Sequence, residues 1–396
     1  MPIAQAAGND DLRQFILSRI REEGPVPFSR FMDWCLYHPV YGYYYSGETK
    51  IGREGDYYTG PCVHPLFGGM VAKQLSQMSG ILGGDTFTVL EIGGGRGFLG
   101  DDILSWAEKN DPEFYGRLQY RIMERAPSFL REQRERLSGE VEKGKVGWLA
   151  PGALTEHTFT LEGCVLSNEL VDAFPVHRVV CRGGELQEIY IGEGNGRFVE
   201  IYDKLSDPRI EAFFSGCGIN LADGQKAEVN LQALAWLEDV GHCLSRGFLM
   251  TIDYGFPAAE LYDSCHANGT LRCYFRHQVS DNPYERLGRQ DITSHVDFTS
   301  LIRKGEELGL RFTGLVPQYR FLIALGLIED IDAKQQKISA VEGLKLRLSI
   351  KHLLEPERGM GEIFKVLIQH KGIEKPELKG LQDLRQYFHR NKGGVR

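Results

Sequence analysis

Glycines at alternate positions behind a short apolar run constrain the fold of this chain more than any other feature. Glu91 lies in that run, and Gly93, Gly95 and Gly97 follow it. Because glycine has no Cβ, the backbone can turn tightly there and its amide groups can approach a ligand. The apolar residues within 98–107 then have helical spacing. We therefore predict a strand, a nucleotide-binding turn and a helix.

Two acidic residues favour one kind of nucleotide. Glu91 precedes the glycines, where a carboxylate repels a pyrophosphate and attracts a cationic ligand such as the ammonium group of S-adenosylmethionine. Glu124 ends the next strand-like run, and a carboxylate there can accept hydrogen bonds from both ribose hydroxyls. The stretch from Gly95 to Gly100 also satisfies GxGxxG, the weak dinucleotide pattern. A third interpretation is a glycine-rich loop that serves only helix packing.

The charge balance and the hydropathy exclude several classes of partner. The chain has 46 Lys and Arg against 54 Asp and Glu, a net charge of −8. We therefore expect no general affinity for nucleic acid or for anionic membranes. No apolar run approaches the ~20 residues that span a bilayer. Residues 1–11 lack the pattern of a targeting segment, so we expect a cytoplasmic protein without membrane insertion.

The eight cysteines predict neither disulfides nor a zinc site. No two of them form a CxxC pair, and several lie in apolar runs that are typical of buried thiols in a reducing compartment. His277 and His295 are too far apart in the chain for a common metal-binding spacing. We predict no metal site.

Strand and helix patterns alternate from residue 86 onward, which favours a parallel sheet with crossover helices. We expect an N-terminal helical and aromatic cap over 1–85, an α/β core over 86–370 and a charged, exposed tail over 371–396. Short alternating runs between Gly-rich turns predict an antiparallel β-meander inserted at about 176–206. A long loop is expected at about 256–296, and its aromatic and histidine content argues against disorder.

Further polar side chains follow predicted strands at their carboxyl ends. Asn168, Glu169 and Asp172 come directly after an apolar run that is typical of a central parallel strand, and Asp253 ends a later run. Open parallel sheets bind ligands beyond these strand ends, near the switch point. An amide and carboxylates at that edge can hold a substrate amine or guanidinium. For Asp172, capping of the following turn is the better interpretation.

A series of motifs between about residue 24 and residue 368 is similar to those of a known family, in the family's order. The matching stretches are Gly24-Pro25-Val26, Phe31-Met32, His38-Pro39, Gly42-Tyr43-Tyr44, Gly55-Asp56-Tyr57 with Thr59, Phe67-Gly68, Glu91 to Gly97, Asn168-Glu169 with Asp172-Ala173 and Pro175, Asp253-Tyr254-Gly255, Gly269-Thr270-Leu271, His295-Val296-Asp297-Phe298, and Met360-Gly361 with Phe364-Lys365. The chain resembles the MidA-type family of S-adenosylmethionine-dependent methyltransferases. Mitochondrial members of that family assist the assembly of respiratory complex I by methylating an arginine of one of its subunits.

The resemblance implies a class I methyltransferase fold, which is a Rossmann-like α/β sheet with an N-terminal helical cap and an inserted antiparallel β region. It implies S-adenosyl-L-methionine as the cofactor and a protein, possibly a complex I subunit, as the methyl acceptor. The predicted cofactor-binding residues are Glu91, Gly93, Gly95, Gly97, Glu124, Asn168 and Thr59. The oligomeric state is not predicted.

The chain departs from the family pattern at a few positions. The family often has Ser and Pro-Glu where this chain has Gly60 and Pro61-Cys62, Gly-Glu where it has Gly68-Gly69, and Pro where it has Gly94. The two lost carboxylates lie in the predicted cap, so these departures bear on the substrate and leave the cofactor motif intact.

Methyl transfer depends mostly on positioning of the nucleophile and the methyl group. A guanidinium is a poor nucleophile, which nearby carboxylates can orient, so we predict Glu169 as the catalytic residue, supported by Asp253 and Asp172. The first alternative is a non-catalytic assembly or scaffold protein that binds the same cofactor. The second is a nicotinamide-dependent oxidoreductase, which Glu91 and the distant position of Glu124 disfavour.

Overall fold

The computed structural model describes residues 8–46, 56, 60, 64–355 and 361–384. The chain forms two compact units, each assembled from three separate segments. The segments of the first unit are Met1–Tyr57, Val171–Leu237 and Gly255–Arg303. Those of the second unit are Tyr58–Leu170, Glu238–Tyr254 and Lys304–Arg396. Residues that are far apart in the sequence therefore share one core in each unit.

Seven strands follow one another in the sheet of the second unit. In spatial order they are Arg311–Pro317, Phe364–Lys371, Leu244–Phe256, Leu161–Asn168, Phe87–Ile92, Leu118–Met123 and Val146–Leu149. The last five of these are parallel, and the first two are antiparallel to their neighbours. The chain order reverses between Phe87–Ile92 and Leu161–Asn168. That reversal is the switch point at which open α/β sheets bind ligands, and it confirms the predicted fold class.

Apolar sequence explains the burial of the central strand Leu161–Asn168. Cys164, Val165 and Leu166 have no exposed surface, as a strand inside a covered parallel sheet requires. A Cβ at Gly163 would lie 1.9 Å from the carbonyl oxygen of Thr88, so only glycine fits at this close approach of two strands.

Helices of the second unit supply most of the remaining apolar side chains of its core. They are Leu66–Leu82, Phe98–Asn110, Pro112–Arg117, Pro127–Arg136, Ser138–Glu142, Gln318–Ala324, Leu327–Gln335 and Ala340–Leu354. Two further helices, Leu231–Cys243 and Phe298–Glu307, span the segment boundaries. Among the residues that the structure describes, no helix is both long enough and apolar enough to cross a bilayer.

An antiparallel sheet organises the first unit and confirms the predicted inserted β region. Its strands are Val26–Pro27, Glu185–Gly194, His177–Arg182 and Lys226–Val229 in spatial order, with Arg197–Asp203 also paired to Glu185–Gly194. Its two-residue hairpin turns are Gly183-Gly184 and Asn195-Gly196. All four residues have positive φ, as type I′ turns require. The sheet extends beyond the predicted meander because strands from residues 26–27 and 226–229 join it.

The N-terminal helices Asp10–Glu23 and Phe28–Tyr37 also lie in the first unit. Their buried side chains share a cluster with Val176, Ile191 and Leu271, among others. The other helices of this unit are Arg209–Cys217 and Ala258–Leu261.

The stretch expected to be a long loop, 256–296, contains regular structure. Gln278–Ser280, Arg272–Phe275 and Asp291–Thr293 form a three-stranded antiparallel sheet. Strands of three or four residues are too short to show a clear alternation of apolar and polar residues, which is why the sequence did not predict them.

The described part of the C-terminal segment, residues 371–384, is partly buried. Leu378 is 3 % exposed and belongs to the core of the second unit. The backbone N–H of Gly380 donates to Gln74 Oε1 at 2.9 Å. Leu378, together with the partly buried Ile373 and Leu381, therefore attaches a largely charged segment to the core of the second unit.

Candidate active site

The predicted nucleotide-binding turn lies at the switch point, between the strand Phe87–Ile92 and the helix Phe98–Asn110. Gly93, Gly95 and Gly97 all have positive φ, at 74°, 52° and 78°, a region that side chains with a Cβ adopt only under strain. We call residues 93–97 the glycine turn. A Cβ at Gly93 would lie 2.8 Å from Leu170 Cδ1, so the side chain of Leu170 would also have to move.

Glu91 is buried beneath the glycine turn. Its carboxylate is 3 % exposed, and Oε2 accepts a hydrogen bond of 2.8 Å from the hydroxyl of Tyr120. A Cβ at Gly94 would lie 3.2 Å from the same oxygen. Burial raises the pKa of Glu91 to about 7, although the hydrogen bond from Tyr120 opposes this shift. A nearby cation would favour the ionised carboxylate.

Glu124 ties the end of the second strand to the glycine turn. Oε2 accepts the backbone N–H of Gly95 at 3.1 Å, and Oε1 accepts those of Arg125 and Ala126 at 2.8 and 2.9 Å. Burial raises the pKa of Glu124, while these three hydrogen bonds act against the rise. A carboxylate has about four acceptor positions, so this one can still accept from a ligand hydroxyl.

Gln133 holds the glycine turn, although sequence reasoning did not single it out. Its side chain is fully buried on the helix Pro127–Arg136. Nε2 donates to the carbonyl of Gly95 at 2.7 Å, and Oε1 accepts from Trp148 Nε1 at 2.8 Å. Gln133 therefore fixes the glycine turn. The only sequence signal is an uncharged amide within a strongly charged helix, which is a weak one.

Asn168 and Glu169 follow the central strand at the same edge of the sheet. Glu169 has φ of +52°, which is uncommon for a residue with a side chain and marks a local constraint. Its Oε1 accepts from the backbone N–H of Gly60 at 3.1 Å and from Asn168 Nδ2 at 3.2 Å. Asn168 Oδ1 is buried and accepts no hydrogen bond from any residue within the described ranges, so it is available to a ligand donor.

Asp253 supports the loop that carries Glu169. It has no exposed surface, and its two oxygens accept the backbone N–H groups of Leu170 at 3.2 Å and Tyr254 at 2.9 Å. The backbone N–H of Glu169 donates to the carbonyl of Ile252 at 2.9 Å. The carboxylate of Asp253 thus binds the main chain of its own strand at Tyr254 and the main chain that follows the central strand at Leu170.

Two further predicted site residues remain, Asp172 and Thr59. Asp172 belongs to the first unit, where it is 5 % exposed and its carbonyl accepts the N–H of Ser294 at 3.0 Å. Thr59 lies outside the described residues. The second unit therefore brings together Glu91, the three glycines, Glu124, Asn168, Glu169 and Asp253.

These residues fit a cationic, ribose-bearing cofactor. The positive φ angles of Gly93, Gly95 and Gly97 let the turn present its backbone beside Glu91, which is a buried carboxylate with a raised pKa. A sulfonium or ammonium group compensates such a carboxylate, whereas a pyrophosphate repels it.

Comparison with known proteins identifies the family. A model of methyltransferase family 28, described as S-adenosyl-L-methionine-dependent methyltransferase, matches residues 70–316. This chain belongs to that family. The fold also matches a crystal structure from Burkholderia thailandensis bound to S-adenosyl-homocysteine. The match has a TM-score of 0.84 and 31 % identity, and it covers 94 % of each chain. The family member described here is therefore a methyltransferase with S-adenosylmethionine as its cofactor, and the scaffold and oxidoreductase alternatives are not supported.

Curated relatives have a more specific name. "Protein arginine methyltransferase NDUFAF7 homolog, mitochondrial" from Drosophila melanogaster is 25 % identical over 400 residues, with 93 % of this chain and 86 % of the relative covered. The Xenopus tropicalis "Protein arginine methyltransferase NDUFAF7, mitochondrial" is 26 % identical over 388 residues, with 89 % and 84 % covered.

The location named for these relatives bears on one prediction. Both are mitochondrial, which overturns the expectation of a cytoplasmic protein. That expectation was wrong because it rested on charge, hydropathy and the pattern of residues 1–11, none of which decides the compartment.

Proposed function

We propose that this chain is a protein arginine N-methyltransferase. The observation that carries the proposal is the carboxylate of Glu169, at the carboxyl end of the central strand. The backbone of Glu169 is in the left-handed region, and its side chain is bound to the N–H of Gly60 and to Asn168. A constrained carboxylate near a cationic cofactor suits a guanidinium acceptor, and the names of the curated relatives support the same reaction.

S-adenosylmethionine supplies an electrophilic methyl group when it is bound. The chain's own residues must orient the acceptor, because a guanidinium is a poor nucleophile and has only N–H donors. We assign this orientation to Glu169, whose carboxylate accepts N–H groups of the guanidinium and accepts the proton that the attacking nitrogen loses. Asn168 Oδ1 is assigned to a donor of the cofactor, as predicted from the sequence.

Asp253 acts as a positioning residue in this proposal. Its carboxylate accepts main-chain N–H groups on either side of the strand end and so holds the loop of residues 168–170. Asp172 remains a proposed carboxylate for binding the acceptor. The acceptor itself is proposed to be a protein, and the family resemblance makes a respiratory complex I subunit the first one to test.

The variant Glu169→Gln tests the proposed role of Glu169. It retains a side chain of the same size, so we expect S-adenosylmethionine binding by calorimetry to remain and turnover to fall about a hundredfold or more. Glu113→Gln is the matched control, because the Glu113 side chain is 88 % exposed. Full activity of Glu169→Gln on the acceptor would exclude the assignment.

Mass spectrometry of methylarginine tests the reaction itself. Proteins from cells with and without this chain are compared, and labelled methyl transfer by the purified chain is measured in the lysate that lacks it. We expect arginine sites that are methylated only in the presence of the chain. Transfer to another residue type, or to a small molecule, would contradict the proposed function.

A further inference from the structure

Three aspartates are buried together in the first unit, on segments far apart in the sequence. Asp56, Asp172 and Asp291 are 9 %, 5 % and 2 % exposed, and we call them the aspartate cluster. The backbone of Asp172 lies beside the strand of Asp291, because the N–H of Ser294 donates to the carbonyl of Asp172. Burial and the neighbouring charges of Asp172 and Asp56 together raise the pKa of Asp291 to about 7. A bound cation would offset both effects.

Asp56 and Asp291 accept hydrogen bonds from neutral groups. The hydroxyl of Tyr43 donates to Asp56 Oδ2 at 2.8 Å, and the backbone N–H of Arg276 donates to Oδ1 at 2.7 Å. The hydroxyl of Tyr44 donates to Asp291 at 3.0 Å. Neither Asp56 nor Asp291 forms an ion pair with a Lys, Arg or His in the described part of the chain.

In the small antiparallel sheet, Arg272 is the cationic residue closest to Asp291 in strand register. It pairs with Thr293 across the small antiparallel sheet, but its guanidinium donates to the carbonyl of Leu271 at 2.7 Å. Burial lowers the pKa of His295 to about 4, and the charge of Arg272 adds to this shift. Arg272 is therefore directed to other groups, and the negative charge of Asp291 is available to a cation from outside the chain.

Tyrosine rings lie beside the carboxylates. The rings of Tyr37 and Tyr44 are stacked, with centroids 5.4 Å apart and planes 24° apart, and both are half-buried. Because the Tyr44 hydroxyl binds Asp291, its ring is fixed relative to that carboxylate. Aromatic faces attract cations, and planar guanidinium groups stack on them.

A buried hydroxyl on the same strand provides a second, independent indication of a ligand. Thr293 is 2 % exposed, and its Oγ1 has no hydrogen-bond partner among the described residues. Thr293 and Asp291 are two positions apart on the strand Asp291–Thr293, so their side chains point to the same face. Burying a hydroxyl without a partner is unfavourable, and a ligand N–H would satisfy it.

We propose that the aspartate cluster, with Tyr44 and Thr293, binds a guanidinium side chain of the protein acceptor. Asp291 accepts N–H groups of the guanidinium, the ring of Tyr44 packs against its plane, and Thr293 Oγ1 accepts a further N–H. A guanidinium fits because it carries five donors and no acceptor. The inference rests on the proposed arginine-bearing acceptor, and it adds a recognition site in the first unit to the cofactor site in the second.

Titration of the full chain with two small probes tests this site. The probes are N-acetylarginine methylamide and its citrulline analogue, which has nearly the same shape without the charge. At about pH 8, where Asp291 is ionised, we expect the arginine probe to bind about tenfold more tightly than the citrulline probe. Asp291→Asn is expected to weaken binding of the arginine probe about tenfold or more. Glu211→Gln, an exposed carboxylate of the same unit, is the matched control and should leave binding unchanged.

The outcomes separate this inference from the proposed function. S-adenosylmethionine affinity is measured for each variant to show that it is folded, and Thr293→Val provides a second variant if Asp291→Asn does not fold. Equal binding of the two probes, or wild-type binding of the arginine probe by a folded Asp291 or Thr293 variant, overturns the recognition site even if the chain methylates arginine. Loss of probe binding in the variants supports the site. If the wild-type chain nevertheless methylates no arginine, only the proposed function fails.

Discussion

The hydroxyl of Tyr120 donates to Glu91 Oε2 at 2.8 Å, and the two side chains are 0 % and 3 % exposed. Glu91 and Tyr120 lie on adjacent parallel strands, Phe87–Ile92 and Leu118–Met123. The pair places a buried carboxylate under the glycine turn. This relationship makes the protonation of Glu91 a measurable property of the proposed cofactor site.

Cofactor affinity should increase with pH. The ordinary pKa of 4.5 is raised to about 7 in the folded protein, so Glu91 gains its charge as the pH passes through 7. We expect S-adenosylmethionine affinity by calorimetry to rise severalfold between about pH 6 and about pH 7.5. Glu91→Gln should flatten this dependence. An unchanged slope in that variant would show that another group is responsible.

The same shift predicts the direction of a stability change. The unfolded chain releases this proton near pH 4.5, but the folded protein retains it to about pH 7. The contribution of Glu91 therefore reduces stability as the pH rises through that interval. Urea unfolding should show a smaller decrease for Glu91→Gln than for the wild type. A steeper decrease in the variant would contradict the raised pKa.

Gly97→Ala should damage the cofactor site. Gly97 has φ of +78°, and alanine in that region costs about 1–2 kcal/mol. We expect a similar loss in unfolding free energy and weaker S-adenosylmethionine binding. Gly80→Ala is the control, because Gly80 lies in the helix Leu66–Leu82 and a Cβ there meets nothing within 4 Å. It should be neutral or stabilise the protein by up to about 1 kcal/mol.

Glu124→Gln should weaken cofactor binding through the glycine turn. Three backbone N–H groups donate to the carboxylate of Glu124. The substitution replaces one of its acceptor oxygens with an amide NH2, which cannot accept from them. We expect at least about a tenfold loss of S-adenosylmethionine affinity. Glu135→Gln, an exposed carboxylate of the next helix, should bind the cofactor like the wild type. Equal affinities for the two variants would mean that Glu124 does not position the turn.

Leu378→Ala should reveal how far the C-terminal segment contributes to stability. Leu378 is 3 % exposed in the core of the second unit, and leucine-to-alanine changes at such positions cost about 2–5 kcal/mol. Val341→Ala is the exposed counterpart, at 65 % exposure, and should stay within about 0.5 kcal/mol. Denaturant midpoints measure both. A neutral Leu378→Ala would indicate that the segment is not part of the cooperative core.

Local sequence was sufficient to predict the glycine turn and the acidic residues at the strand ends. Glu91, Glu124 and Asp253 each follow or end an apolar run, and parallel strands necessarily bring such ends to one edge. The roles of Tyr120 and Gln133 were not predictable, because they depend on which residues of separate elements meet. The register of adjacent strands brings Tyr120 to Glu91. The packing of the helix Pro127–Arg136 brings Gln133 to the glycine turn.

Contacts between distant segments of the chain could not be predicted from local sequence patterns either. Asp56, Asp172 and Asp291 are separated by more than a hundred residues at each step, yet they lie in one cluster. Asp172 lies in a single helical turn and Asp291 begins a strand of three residues, so no periodicity connects them. Only the pairing of short strands such as Asp291–Thr293, which have little sequence signal, brings them together.

The order of strands in the second unit has a consequence for synthesis on the ribosome. The last strand, Phe364–Lys371, is interior and lies between Leu244–Phe256 and Arg311–Pro317. Until residue 371 has emerged, both of these earlier strands lack their shared neighbour and expose unpaired backbone groups. The sheet therefore closes only after residue 371 has left the ribosome, and a nascent chain that stalls before this point presents open edges to other chains.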